Sequence, residues 1–138
     1  MRPARDAAEV DEAQRLRVRV FCEEQGVSRD EELDEFEGSA IHIVARDQTG
    51  VVATCRLREV DDGVKLERMA VERRLRGLGA GARLLTEAEE IARAKGAETM
   101  VLNSQTRAEG FYAGQGYEPE GERFLEAGIE HVRMTKPL

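Results

Sequence analysis

The chain is 138 residues long, the length of one ordinary domain, with 41% hydrophobic and 36% charged residues. That balance belongs to a folded globular chain, and no apolar run approaches the roughly 18 residues of a membrane span. A formal charge of −7 argues against nucleic acid or an anionic membrane as the main partner. From Asp6 to about Gln25, the residues Val10, Ala13, Leu16, Val20 and Phe21 recur at spacings of three and four, which predicts an amphipathic helix with Asp6 as its N-cap. The acidic stretch from Asp30 to Glu37, broken by Leu33 and Phe36, reads as a solvated loop or a short helix. Ile41 to Ala45 and Val51 to Leu57 flank a polar break ending in Gly50 and predict a hairpin. Asp61-Asp62-Gly63 then turns the chain into a third strand from about Val64 to Val71. A helix opened by residues 72–81 carries Leu84, Leu85, Ala88, Ile91 and Ala92 and stops at Gly96. Thr99 to Asn103 reads as a buried strand and Thr106 to Gln115 as a short helix ending at Gly116. The tail from Tyr117 to Met134 reads as two strands split by Glu126-Ala127-Gly128. Helix, three strands, helix, strand, helix and two strands make one mixed α/β domain over residues 1–138.

Gly77, Gly79 and Gly81 alternate just ahead of the strongest helix. Glycine lets backbone approach a ligand closely, and a helix start presents free N–H groups with partial positive charge, so such a loop suits phosphate. Arg76 adds a cation at the rim. The glycines either cradle a phosphate or only turn the chain. A P-loop needs Gly-Lys-Ser/Thr at this point, and the chain has Gly81-Ala82-Arg83. A dinucleotide fingerprint read as Gly77-x-Gly79-x-x-Ala82 fits poorly, because the charged residues 72–76 separate it from its strand. Its acidic partner, expected about 20 positions later, would be Glu98, which precedes the next strand instead of ending it.

The remaining design is the loop Arg-x-x-Gly-x-Gly/Ala, present as Arg76-Gly77-Leu78-Gly79-Ala80-Gly81. Here the sequence resembles the GNAT superfamily of N-acetyltransferases, with the strand Leu66 to Val71 before the loop and a strand and a helix bearing Phe111-Tyr112 after it. Within that superfamily it is similar to the ElaA-like subgroup over nearly the whole chain. The matching residues are Arg17, Val20, Phe21, Glu24 and Gln25, then Glu32 and Asp34, then Ala40-Ile41-His42. Further on come the block from Asn103 to Ala108 and Gly128-Ile129-Glu130-His131. Arg107 stands where the subgroup commonly has histidine, and Glu130 where it has proline; both departures bear on the substrate and not on the cofactor.

The resemblance implies a GNAT fold: a mixed, mostly antiparallel sheet flanked by helices, parallel only where the strands around the glycine-loop helix diverge. It implies acetyl-CoA as acyl donor and a primary amine of a small molecule or peptide as acceptor, joined by direct attack in a ternary complex. Cofactor contacts are then expected from the backbone of Met69, Ala70 and Val71, from the loop residues Arg76, Gly77, Leu78, Gly79, Ala80 and Gly81, and from Asn103, Phe111 and Tyr112. Asn103 has a second reading as a strand-end cap. Phe21, Glu24, Gln25, His42 and His131 are expected to line the acceptor pocket.

Acetyl transfer to an amine needs a neutral nucleophile, donors for the oxyanion and a proton for the departing thiolate. Tyr112 is the candidate acid, since a phenol keeps its proton at neutral pH; alternatively it is the apolar face of a short helix. Glu67 is the candidate base, acting through water, or else a surface carboxylate on the other face of its strand. Two histidines isolated from other ligand types, and Cys22 and Cys55 without ligand spacing, give no reason to expect a metal or a disulfide framework. A reduced, cytoplasmic setting is expected, with a homodimer left open. The rival reading is a non-catalytic acyl-CoA-binding module, with a nucleotide-binding oxidoreductase fragment third.

Overall fold

A computed structural model describes residues 1–28 and 37–138. The acidic stretch predicted as loop or short helix therefore lies outside the described residues except for its last member, Glu37. The first helix, α1 (Ala7–Arg17), starts where Asp6 accepts a hydrogen bond from the Glu9 N–H at 2.9 Å, as an N-cap should. It does not run on unchanged to Gln25. From Val18 to Glu24 the backbone widens into a π-helical stretch, a geometry that is rare and tends to mark functional sites.

Among the described residues, seven strands take the order β1-β2-β3-β4-β5-β7-β6 across one sheet. They are β1 (Arg2–Pro3), β2 (Ile41–Asp47), β3 (Gly50–Val60), β4 (Gly63–Val71), β5 (Thr99–Gln105), β6 (Glu118–Glu126) and β7 (Ile129–Pro137). The two-residue β1 is too short to carry any periodicity, and the sequence does not predict it. All pairings are antiparallel except β4 with β5. The parallel pair is connected through α2 (Ala80–Ala94), as parallel strands require a crossover. A 3-10 turn (Thr106–Ala108) leads from β5 into the short α3 (Glu109–Gly114).

Helices cover both faces of the sheet, and strand alternation sorts the core accordingly. On β2, Ile43 packs in the cluster with Leu84, Leu85, Ala88 and Ala92 of α2, while its neighbour Val44 packs with Ala13 and Leu16 of α1. The α2 set repeats at three- and four-residue spacing, so the helix buries one stripe. Each fully buried leucine there contributes about 1.5–3 kcal/mol of transfer free energy.

Two irregularities set β4 apart from its neighbours. Pairing with β3 slips between Thr54 and Arg56, so that Cys55 opposes two residues of β4, and Arg68 takes φ 57° at this bulge. On the other side, β4 and β5 pair only from Val64–Met100 to Leu66–Leu102, although both strands continue. Beyond Leu66 the backbone edge of β4 has no β5 partner.

Candidate active site

The gap left by β4 and β5 opens into a cleft of about 1030 Å³. Met69, Ala70 and Val71 line it from β4 and Asn103 from β5, and the glycine loop and His131 of β7 line it as well. The π-helical stretch lends Phe21, and Gln25 comes next at the rim.

The glycine loop takes its shape from backbone angles that glycine favours. Gly77 and Gly79 adopt φ of 81° and 85°, a left-handed conformation that other L-residues rarely take. Gly79 occupies the N-cap of α2 and supplies no side chain, so no side-chain cap competes for the first-turn N–H groups. A Cβ built on Gly77 or Gly79 meets nothing within 4 Å, whereas one on Gly81 would touch Phe111 at 3.5 Å. The first two glycines face open space and the third packs the loop onto α3. An open, uncapped helix start of this kind fits a phosphate. Gly77, Gly79, Ala80 and Gly81 line the cleft, while Leu78 points to solvent at 71% exposure and is not on its wall.

Arg76 lines the cleft too, yet its guanidinium is engaged by the protein. Nη1 and Nη2 donate to the Glu24 carboxylate at 2.8 and 3.1 Å, and Nε donates to the Val71 carbonyl at 3.0 Å. Glu24, expected in the acceptor pocket, instead ties the π-helical stretch to the loop; the Arg76 hydrogen bond holds its carboxyl below the usual range.

Tyr112 is buried in the cleft wall, edge-on to Phe111 at 4.9 Å between ring centroids. Burial, with Cys55 nearby, pushes the phenol well above its ordinary value, so it keeps its proton across the neutral range. Its hydroxyl donates to Met69 Sδ at 3.7 Å. A phenol already directed at a sulfur beside the open edge of β4 can serve a second sulfur in the same cleft.

Glu67 lines the cleft but is surrounded by cations. Arg58 Nε approaches at 2.7 Å, Arg56 Nη2 at 2.9 Å and Lys65 Nζ at 3.3 Å. Burial opposes ionisation, and the Arg58 hydrogen bond with the Arg56 and Lys65 charges overcomes it, leaving the carboxyl below its usual range. A carboxylate so neutralised is a poor proton acceptor. Arg56 continues the chain of charges to Glu37, which it reaches at 2.6 Å together with Arg17, also at 2.6 Å; both arginine side chains have no exposed surface.

The two histidines part company. His42 does not reach the cleft: it is buried on β2, where Nε2 donates to the Glu37 carbonyl at 3.0 Å. His131, on β7, lines the cleft and stacks on Phe124 with ring planes 22° apart. Gln25 is reached from across the cleft by Gln105 Nε2 at 2.7 Å, and Arg107 Nε in turn donates to Gln105 Oε1 at 2.8 Å. Gln105 and Glu126 line the cleft without having been singled out from the sequence, and Arg107, marked there only as a departure bearing on the substrate, lines it too. Gln105 and Arg107 lie inside the block that carried the resemblance, so a signal for them was present; Glu126 had none beyond its turn. Among the described residues, no group of three or more His, Cys, Asp or Glu forms a metal cage, and no helix is long and apolar enough to cross a membrane.

Residues 8–138 match the family described as "Acetyltransferase (GNAT) domain". An uncharacterized N-acetyltransferase of Bacillus subtilis, YjcF, is 38% identical over 134 residues, which is 96% of this chain and 96% of that protein. Among solved structures, a Lactobacillus plantarum protein provisionally named an N-acetyltransferase superposes with a TM-score of 0.89 at 31% identity, covering 96% of this chain and 93% of that one. Escherichia coli ElaA superposes with a TM-score of 0.87 at 25% identity, covering 95% and 92%.

Proposed function

The chain belongs to the GNAT acetyltransferase family, and from that premise we propose that it moves the acetyl group of acetyl-CoA to a primary amine of a small molecule or peptide, by direct attack in a ternary complex. The observation that carries this reading is the convergence of three features on one cleft: the uncapped start of α2 behind the glycine loop, the bulged and unpaired edge of β4, and the Tyr112 hydroxyl.

Each feature answers one need of the reaction. The α2 start, with its N–H groups and partial positive charge, receives the pyrophosphate without a lysine. Beyond Leu66 the edge of β4 is not paired with β5, and backbone groups of Met69 and Ala70 on that edge suit the pantetheine amides and the thioester oxygen. Tyr112 donates its proton to the sulfur as the C–S bond breaks. Asn103 and Phe111 border the same channel. Phe21, Gln25 and His131, which line the same cleft, are the residues that receive the amine.

Direct attack is favoured over an acyl-cysteine because neither cysteine is among the residues lining the cleft, and Cys55 is fully buried with its thiol pushed up, away from the reactive thiolate. The test is initial-rate kinetics of thiol release from acetyl-CoA over a panel of primary amines. Amine-dependent release with intersecting double-reciprocal lines is expected. Parallel lines, the mark of a covalent acyl-enzyme, would overturn the ternary complex, and release that no amine accelerates would overturn the transferase reading itself.

A further inference from the structure

We propose that His131 is the base that takes the proton from the acceptor's ammonium group, with Glu126 as the charge that stabilises the imidazolium so formed. This rests on the acetyltransferase reading and assigns the proton acceptor that the Glu67 geometry disfavours.

The tautomer is fixed by one contact. His131 Nδ1 lies 2.6 Å from the carbonyl oxygen of Ile129, and a carbonyl can only accept, so Nδ1 carries the proton. In the neutral ring, Nε2 then keeps its lone pair, on a residue that lines the cleft. The ring plane is held by the stack on Phe124 of β6. Nε2 lies 3.5 Å from the Glu126 carboxylate, also of β6. That carboxylate attracts an incoming ammonium, and once Nε2 has gained a proton it faces the new N–H. The other elements around the ring add few charges: the β5 residue in register with His131 is the neutral Gln105, and Arg107 of the 3-10 turn lines the same cleft with its Nε on Gln105. His42 offers no such nitrogen to the cleft, and Glu67 has its carboxylate occupied by three cations.

The protons balance. R–NH₃⁺ gives one proton to His131 Nε2, which later passes it to solvent. The free amine attacks the thioester carbon, the C–N bond forms and the C–S bond breaks. Tyr112 gives its proton to the sulfur, and the second amine proton, lost from nitrogen as the amide forms, restores the phenol. The sum is R–NH₃⁺ plus acetyl-CoA going to the N-acetyl amine, CoA–SH and one proton.

The experiment compares the wild-type chain, His131→Asn and Glu126→Gln, with acetyl-CoA and a panel of ethanolamine, 1,4-diaminobutane and Nα-acetyl-lysine amide. With His131→Asn, kcat/KM at pH 7 is expected to fall by roughly 10²-fold or more. The deficit should shrink about tenfold per pH unit as pH rises toward the amine's own pKa, because a free amine needs no base. Glu126→Gln should lose roughly tenfold, with the same closing trend. A His131→Asn deficit that is flat with pH, or a rate within about threefold of wild type, would overturn the base while leaving the transferase intact. A wild-type chain that acetylates none of the panel would remove the transferase reading and the base with it. Should His131→Asn fail to fold, long-range ¹H–¹⁵N spectra of the wild-type chain decide: it has two histidines, and His42→Gln identifies their signals. A proton on Nδ1 of His131 is expected, and a proton on Nε2 in its place would overturn the assignment.

Discussion

Around Glu37, two arginines without exposed side-chain surface, Arg17 and Arg56, each reach the carboxylate at 2.6 Å, and Arg56 goes on to Glu67. Along β4, by contrast, the residues after Leu66 have no β5 neighbour, and the first turn of α2 carries no side-chain cap. The first region closes its charges on one another, as buried ions must. The second interrupts the sheet's own pairing, leaving the β5-facing edge of β4 beyond Leu66 without a neighbouring strand, an arrangement that suits backbone reached by water or a ligand. The difference separates what holds this sheet together from what it offers to a substrate. It also accounts for Glu67, which touches the cleft but belongs by its bonds to the first region.

The largest effect that would test this division is expected from the open region. Tyr112→Phe keeps the ring beside Phe111 and removes only the hydroxyl, so kcat should fall by roughly 10²–10⁴. Coenzyme A affinity should move by no more than the about 0.5–1.5 kcal/mol of one hydrogen bond. Steady-state kinetics with parallel calorimetry measures both; an unchanged kcat would make Tyr112 a packing residue. From the closed region, Glu37→Gln leaves Arg17 and Arg56 buried beside a neutral group, and urea unfolding should show a loss of about 3–5 kcal/mol. The same residue sets an acid limit. Burial resists its ionisation, but Arg17, Gln14 and Arg56 hold its carboxyl at about 2 against the usual 4.5. Its contribution is therefore complete above pH about 4.5 and disappears as pH falls toward 2, amounting to ~3 kcal/mol. Glu37→Gln should flatten that part of the stability profile.

Smaller effects sharpen the boundary. Gly79→Asp puts a Cβ at φ 85° and an anion in the space left for phosphate, so coenzyme A should bind at least about tenfold more weakly by calorimetry. Glu67→Gln should change the rate by less than about threefold and leave the shape of the kcat/KM pH profile intact. A lost limb in that profile would return Glu67 to the role of base.

Much of this molecule is legible in the sequence because its signals are local. Glycine spacing before α2, the turn at Gly63 and the apolar repeat of Leu84, Leu85, Ala88 and Ala92 each specify an element by themselves. What escapes depends on distant partners. Val18 to Glu24 keeps helical spacing, so nothing in its composition announces the π-helical widening. Arg68 at φ 57° is a residue type with no preference for that region, and the bulge is imposed by how β4 meets β3. Glu37 reads as the end of a solvated acidic run, because the arginines that bury it lie 20 and 19 positions away. Glu24 and Arg76 read as belonging to opposite ends of the site, yet they are ion-paired across 52 residues. His131 lines the cleft, but its tautomer rests on a backbone carbonyl two residues back, which no sequence displays.

The short parallel register of β4 and β5 also makes this fold's thermal tolerance a property of its surroundings. With three residue pairs joining the two strands, whatever fills the gap binds the folded chain and has nothing comparable to hold in the unfolded one. Stability then rises by mass action, by about 2.7 kcal/mol when free ligand stands at a hundred times its dissociation constant. The midpoint of heat unfolding should accordingly climb with each decade of added coenzyme A, so a melting curve reports the acyl-donor pool as directly as it reports the protein.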